Sequence, residues 1–293
     1  MKYLFVVNPV AGGRDKSGFL SVLDEKSRKE GIAYSVFKTQ GDGDEEQLRQ
    51  KLSDYQPEQV AAVGGDGTVQ LVAKLLEDED TLLGIIPFGS ANGLATELEI
   101  PKEEMASLEL FLHPPATRLI DMIKINDAYC CLHFADIGMN ADLIRDFEQD
   151  RERGIFTYAK YFLKRLEQRE EQQFSIVLDG QEMNYTGFML ALANARLLGT
   201  GIVLNRCGDI ADGRLEVVII QEVRLGDLLK AGWSVVDPEV EYGDAIVCLS
   251  GRQAVIRLSE PAHLQIDGEL IGRVSEFRAR ILPKAIRVAV PQH

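Results

Sequence analysis

Val60-Ala61-Ala62-Val63-Gly64-Gly65-Asp66-Gly67-Thr68-Val69 is the stretch on which the fold turns. Four apolar residues run without a polar break, as in a strand buried on both faces. A glycine-rich turn follows, and then Val69, Val72, Ala73 and Leu76 repeat at helical spacing. A strand that feeds through a turn into a helix is one βα unit of a parallel sheet. The same order brackets it. Upstream, Tyr3 to Val7 predicts a strand, Asn8-Pro9-Val10-Ala11-Gly12-Gly13 a loop, and Phe19 to Glu30 a helix closed by Gly31. Ile32 to Phe37 predicts a second strand. Asp44 to Leu52 predicts a short helix with acidic residues in its first turn, stopped by Pro57. Downstream, Leu82 to Ile86 predicts a strand that runs into Pro87-Phe88-Gly89-Ser90-Ala91-Asn92-Gly93. Residues 1–118 are therefore expected to form an α/β domain with a mainly parallel sheet.

After residue 118 strand patterns follow one another: Arg118 to Asn126, Tyr129 to Ile137, Phe174 to Leu178, Thr186 to Ala193, Leu215 to Gln221, Ala245 to Leu249, Gln253 to Leu258, His263 to Ile266 and Glu276 to Leu282. Asp179-Gly180 and Asp267-Gly268 are strong hairpin signals. Residues 119–283 thus read as a mostly antiparallel β-sandwich. The final strand, Ile286 to Val290, is compatible with a return to the first domain. Ile155 to Gln168 is the exception, an amphipathic helix with Ile155, Tyr158, Phe162 and Leu166 on one face and Lys160, Lys164 and Arg165 largely off it. It reads as a helix packed on the sandwich, with the lip of a lipid pocket as the alternative.

Composition narrows the function classes. The 293 residues carry 32 basic and 46 acidic side chains, a net charge of −14, which argues against nucleic acid as a partner and against strong attraction to anionic membranes. The four cysteines match no zinc spacing and read as reduced thiols. The four histidines are scattered, and none reads as catalytic. The apolar run at the start is too short for a signal-peptide core, and no stretch is long enough for a membrane helix. A cytoplasmic, soluble protein is the expectation.

The chemistry lies in the strand-to-helix loops, which in a parallel sheet share one edge. Glycines let the backbone approach a ligand, and the helix starts behind them present free N–H groups, an arrangement suited to phosphate. In the loop from Gly64 to Thr68, Thr68 is placed to cap the helix. Asp66 would repel a phosphate unless it faces Mg²⁺ or positions a hydroxyl. A tight turn with no ligand is the plain alternative. No Walker loop and no dinucleotide fingerprint occurs.

Asn8-Pro9-Val10-Ala11-Gly12, Gly64-Gly65-Asp66-Gly67-Thr68 and Pro87-Phe88-Gly89-Ser90-Ala91-Asn92 together resemble the diacylglycerol-kinase catalytic domain, a family that includes bacterial diacylglycerol-type lipid kinases and the sphingosine and ceramide kinases. The resemblance covers nearly the whole chain. It implies an ATP-dependent lipid kinase that uses Mg²⁺, takes its lipid from a membrane surface and makes peripheral contact there. It places the nucleotide on Asn8, Pro9, Gly12, Thr39, Gly64, Gly65, Asp66, Gly67, Thr68, Ser90 and Asn92. Asp267-Gly268-Glu269 is similar to the family's late Asp-Gly-Glu, which implies Glu269 as proton acceptor with Asp267 beside it. By pattern alone those residues form a plain hairpin with an exposed Glu. Asp121 corresponds to an acidic residue of the family's active-site charge network.

The stretch from Cys207 to Val217 resembles a family segment that holds a structural Mg²⁺. The implied positions are Asp209, Asp212 and Arg214, the Arg through its backbone oxygen; an Asp-Gly turn before a strand is the alternative. Gly93 departs from the family, in which many members have Asp after this Asn; the sphingosine-kinase branch also has a small residue there. The acceptor, diacylglycerol or a related lipid such as a sphingoid base, is therefore open. An NAD kinase shares Gly-Gly-Asp-Gly, and a nucleotide-binding module without transfer activity is the reading from another class.

Overall fold

The computed structural model describes residues 1–137, 171–197, 205, 207–221 and 246–292. The helix expected over Ile155 to Gln168 lies outside them. The chain divides into two compact units, Met1–Ile120 with Lys284–His293, and Asp121–Pro283.

In the first unit β1 (Lys2–Val7), β2 (Ala33–Lys38), β3 (Gln59–Gly64) and β4 (Leu82–Pro87) are all parallel. The end of the last strand, β14 (Glu269–Val290), joins them by pairing Arg287 with Leu82 and Val288 with Leu83. The order is β14-β4-β3-β1-β2. The winding reverses between β1 and β3, and in such sheets ligands bind beyond the carboxyl ends of the strands at that reversal. Between the strands run α1 (Ser17–Glu30), α2 (Asp44–Tyr55) and α3 (Asp66–Leu75), with α4 (Gly93–Glu97) and α5 (Glu104–Leu112) after β4.

Local sequence accounts for these elements. In α1, Phe19, Leu23 and Ser27 fall four residues apart and are buried, and Gly31 ends the helix at φ 68°. Asp44 opens α2 and its carboxylate accepts the amides of Gln40 at 2.8 Å and Gly41 at 2.9 Å. The core stacks Tyr3, Phe5, Tyr34 and Phe111 edge to face, with ring centroids 5.7–6.0 Å apart. Gly84 of β4 makes room for Phe111, whose ring would lie 2.1 Å from a Cβ there.

The second unit is antiparallel. It contains the end of β5 (Ala116–Ile125), β6 (Tyr129–Cys131), β7 (Phe134–Ile137), β8 (Gln172–Leu178), β9 (Gln181–Gly187), β10 (Met189–Ala193), β11 (Leu215–Ile220), β12 (Ile246–Gly251), β13 (Gln253–Ile266) and most of β14. One set of strands runs β12-β11-β10-β7 onto the C-terminal half of β13; the other runs β9-β8 onto its N-terminal half. The register shift between Arg257 and Ala262 separates the two halves. A bulge of this kind bends a strand and lets it pass from one layer to the next. Phe174, Ile176, Ile256 and Phe277 from one set pack with Leu190, Leu192, Val217 and Leu264 from the other in a single buried cluster.

Four expectations need correction. Gln253 to Leu258 and His263 to Ile266 are one strand, as are Glu276 to Leu282 and Ile286 to Val290, because a bulge or a bend breaks the pattern without ending the strand. Tyr129 to Ile137 is interrupted at Leu132 and His133, whose amides turn to a carboxylate instead of the ladder. Thr186 to Ala193 spans the end of β9 and all of β10, joined through Phe188.

Candidate functional site

Three loops meet at the carboxyl edge of the first unit's sheet. After β1, the Asn8 amide donates to the Val63 carbonyl at 3.0 Å, and Asn8 Oδ1 accepts the Val10 amide at 3.1 Å. Gly12 follows at φ 61°, and a Cβ on it would lie 2.1 Å from the Phe88 carbonyl oxygen. After β3, Gly65 opens α3, and after β4 the Phe88 amide donates to the Gly64 carbonyl at 2.8 Å. Gly65 and Gly89 stand back to back, since a Cβ on Gly89 would come within 2.5 Å of the Gly65 Cα. Gly64, Gly65 and Gly89 do not have positive φ. Close approach of main chains, not backbone freedom, requires glycine there.

The other candidates take defined places around this core. Thr39 follows β2, with its amide on the Val7 carbonyl at 3.0 Å. Pro9, Gly67 and Ser90 are exposed. Thr68 does not cap α3: the helix starts two residues earlier, at Asp66, and the Thr68 side chain is buried against Gly64. Asn92 braces its own loop, with Oδ1 accepting the Gly89 amide at 2.9 Å and Nδ2 donating to the Gly89 carbonyl at 2.7 Å.

Asp66 is the one acidic side chain of the three loops. It is half-buried and accepts the Leu94 amide at 3.4 Å, at the start of α4. Burial pushes its pKa up, while the amides of Leu94, Gly93 and Asn92 pull the other way. The carboxylate is partly desolvated and faces the amides at the start of α4, the Leu94 bond being a long one.

Sequence reading passed over Lys16. It lies at the start of α1, 3% exposed, with its ammonium donating to the carbonyls of Ala11 and Arg14. A lysine nine residues beyond a strand carries no signal of burial; only the fold of the loop shows it.

The second unit holds the remaining candidates. Asp267 and Gly268 take φ 47° and 94°, so the hairpin expected from Asp-Gly forms. Asp267 is not an open acid. Oδ2 accepts the Leu132 amide at 2.8 Å, and Oδ1 accepts those of His133 at 3.0 Å and Phe134 at 3.1 Å. Glu269 follows on the exposed side of the turn, paired with Ile266 in the ladder. Asp121 is fully buried and accepts the Gly213 amide at 2.6 Å, while its own amide donates to the Ile210 carbonyl at 2.8 Å. It therefore anchors the segment that carries Asp209, Asp212 and Arg214.

In that segment Asp209 Oδ1 accepts the Ala211 amide at 3.0 Å, and Asp212 Oδ1 accepts the Arg214 amide at 2.9 Å. The Arg214 guanidinium turns to Ser250, at 2.7 Å from Oγ and 2.8 Å from the carbonyl oxygen. Only its backbone oxygen could then face a cation. Among the described residues no three His, Cys, Asp or Glu side chains gather as a metal site. Glu216, which sequence reading also missed, is buried beside Asn205 at 2.8 Å and Ser250 at 2.9 Å, and burial raises its pKa.

Comparison with known proteins supports this organisation. Residues 2–125 match the diacylglycerol kinase catalytic domain, and residues 135–290 match the YegS C-terminal NAD kinase beta sandwich-like domain. A Pectobacterium atrosepticum protein named "Probable lipid kinase YegS-like" is 27% identical over 98% of this chain and 95% of its own length. A Staphylococcus epidermidis protein named "Putative lipid kinase" is 28% identical over 77% of this chain and 74% of its own length. The crystal structure of a "putative diacylglycerol kinase" from Bacillus anthracis has the same fold, with a TM-score of 0.79 at 20% identity, over 99% of this chain and 96% of that one.

Proposed function

This chain belongs to the diacylglycerol kinase catalytic-domain family, and on that premise we propose that it is a kinase that transfers the γ-phosphate of ATP to the hydroxyl of diacylglycerol or a related lipid. The observation that carries the reading is the meeting of three main-chain loops at the β1/β3 reversal, held at backbone-to-backbone distance by Gly12, Gly65 and Gly89. Side chains would fill this cradle; their absence leaves amides and the start of α3 for a polyphosphate.

Asn8, Gly12, Gly64, Gly65, Gly67, Thr68 and Ser90 would line the nucleotide, Pro9 and Asn92 would shape its loops, and Thr39 lies at the same edge. Mg²⁺ bound with ATP would neutralise charge on the transferred phosphoryl group. Asp66 is the carboxylate that the loops offer to it. Glu269, exposed and free of the amide bonds that tie Asp267, would take the lipid hydroxyl proton as the oxygen attacks phosphorus and ADP departs. Asp267 positions the turn that carries Glu269. A second, structural Mg²⁺ would be held by Asp212 and the carbonyls of Asp209 and Arg214, hard oxygen donors suited to it. Asp121 would support that segment.

The test is transfer of labelled γ-phosphate by the purified chain to diacylglycerol, monoacylglycerol, sphingosine and ceramide in mixed micelles, with NAD as the soluble arm. A labelled lipid is expected, and Glu269→Gln should lower its formation by ~10²-fold or more, the scale of general-base loss. Labelled NADP would transfer the reading to NAD kinases. Nucleotide binding without any product would make the chain a binding module.

A further inference from the structure

In the first glycine loop a lysine ammonium is buried, and among the described residues no carboxylate is paired with it. Lys16 is 3% exposed, and lysine is rarely buried to this degree without a paired carboxylate. Two of its three ammonium hydrogens go to the Ala11 and Arg14 carbonyls, and the face of Phe88 lies 5.1 Å away. These partners hold the ammonium in place but carry no negative charge. The nearby acids are already engaged. Asp15 accepts the Ser17 amide at 3.1 Å and the Ser17 hydroxyl, and Glu104 pairs with Arg14. Among the described residues no carboxylate forms an ion pair with Lys16.

Its surroundings add to the imbalance. Lys16 is the residue that precedes the 14-residue helix α1, whose first turn contains no acid. The amino end of a helix disfavours a cation. Arg14 stacks on the same Phe88 ring, 5.1 Å from its centroid. Burial, and after it Arg14, draw the ammonium's pKa down, and the opposing pull of Asp15 is smaller. Phe88 in turn touches Gly12 and bonds Gly64, so the ammonium sits where the first and third loops lock together.

We propose that Lys16 is a nucleotide-binding residue: its ammonium, preset by the Ala11 and Arg14 carbonyls, meets the polyphosphate of ATP. This rests on the reading of the chain as an ATP-dependent kinase. The lysine acts as a fixed point charge within the loop. It explains why a loop built to approach phosphate tolerates a buried cation beside a helix start.

Calorimetric titration of the full chain with ATP, ADP and adenosine tests this. Lys16→Met should weaken ATP and ADP by about 10- to 100-fold, the range of a charge-assisted hydrogen bond, and leave adenosine unchanged. Lys16→Arg should keep most of the ATP affinity. Equal loss for adenosine would mean a structural role and overturn the proposal, as would unaltered ATP binding. Should Lys16→Met fail to fold, wild-type protein labelled with ¹⁵N-lysine serves instead. Its Lys16 ammonium signal should move with ATP and with pyrophosphate but not with adenosine; an unmoved signal overturns the proposal while leaving the kinase reading intact. Wild-type protein that binds neither ATP nor ADP would overturn both.

Discussion

Asp66 accepts the Leu94 amide at 3.4 Å, whereas Asp267 accepts three amides at 2.8–3.1 Å. Both are half-buried aspartates next to a glycine, and in sequence they look alike. The first belongs to a parallel unit in which the main chain forms the site and the carboxylate faces the amides at the start of α4 through a long bond, with burial opposing its charge. The second belongs to an antiparallel unit in which the carboxylate replaces a missing piece of ladder between β6 and β7. The lesson is that the number and length of the bonds already made separate an acid available for chemistry from one used as a fastener.

The largest effect that tests this contrast is expected at Asp267. Asp267→Ala leaves three amides without their acceptor and should cost about 3 kcal/mol or more in stability, read from urea unfolding. A loss near zero would erase the distinction.

His133, whose amide Asp267 holds, gives an effect of similar size. Its imidazole is 8% exposed, and burial lowers its pKa from 6.5 to about 4. The unfolded chain therefore binds a proton in that interval that the folded chain does not. Stability should fall as pH drops from 6.5 towards 4, by about 3 kcal/mol at most from this residue. In His133→Gln the pH slope over that interval should flatten by this amount, and an unchanged slope would show that the imidazole is not the source.

Asp66→Asn should lower turnover by ~10²-fold or more if the carboxylate faces the metal or the acceptor hydroxyl. Its raised pKa means that burial opposes the ionised form, so a neutral amide should leave the fold as stable as before or more so. A variant with full turnover and reduced stability would reverse the contrast. The smallest effect is expected from Glu269→Gln on stability. Two residues from Asp267 and exposed, it should leave the urea midpoint unchanged, within ~0.5 kcal/mol, while turnover collapses.

Much of this was legible in the residues. The alternation of buried apolar runs with helical spacing put the three glycine loops at one edge. The Asp179-Gly180 and Asp267-Gly268 turns were equally plain, because Asp-Gly between two strand patterns favours the left-handed backbone of a tight hairpin. Strand ends were harder to place. Leu132 and His133 look like strand residues, and only the distant carboxylate that takes their amides interrupts the strand. The helix start at Asp66 was hidden for a related reason: Thr68 is a good cap by type, but packing against Gly64 uses its side chain.

Local physics, then, fixed the order of elements, the two-part organisation and the position of the loops, because hydrophobic period and turn chemistry act over a few residues. The tertiary structure alone decided what each acid and cation does. Asp267 meets amides 133–135 residues away, Asp121 meets Gly213 at 92 residues, and Lys16 is buried only because its loop closes over Phe88. Such partnerships depend on register across a folded sheet and on main chains brought together from distant loops, and no short-range pattern encodes either.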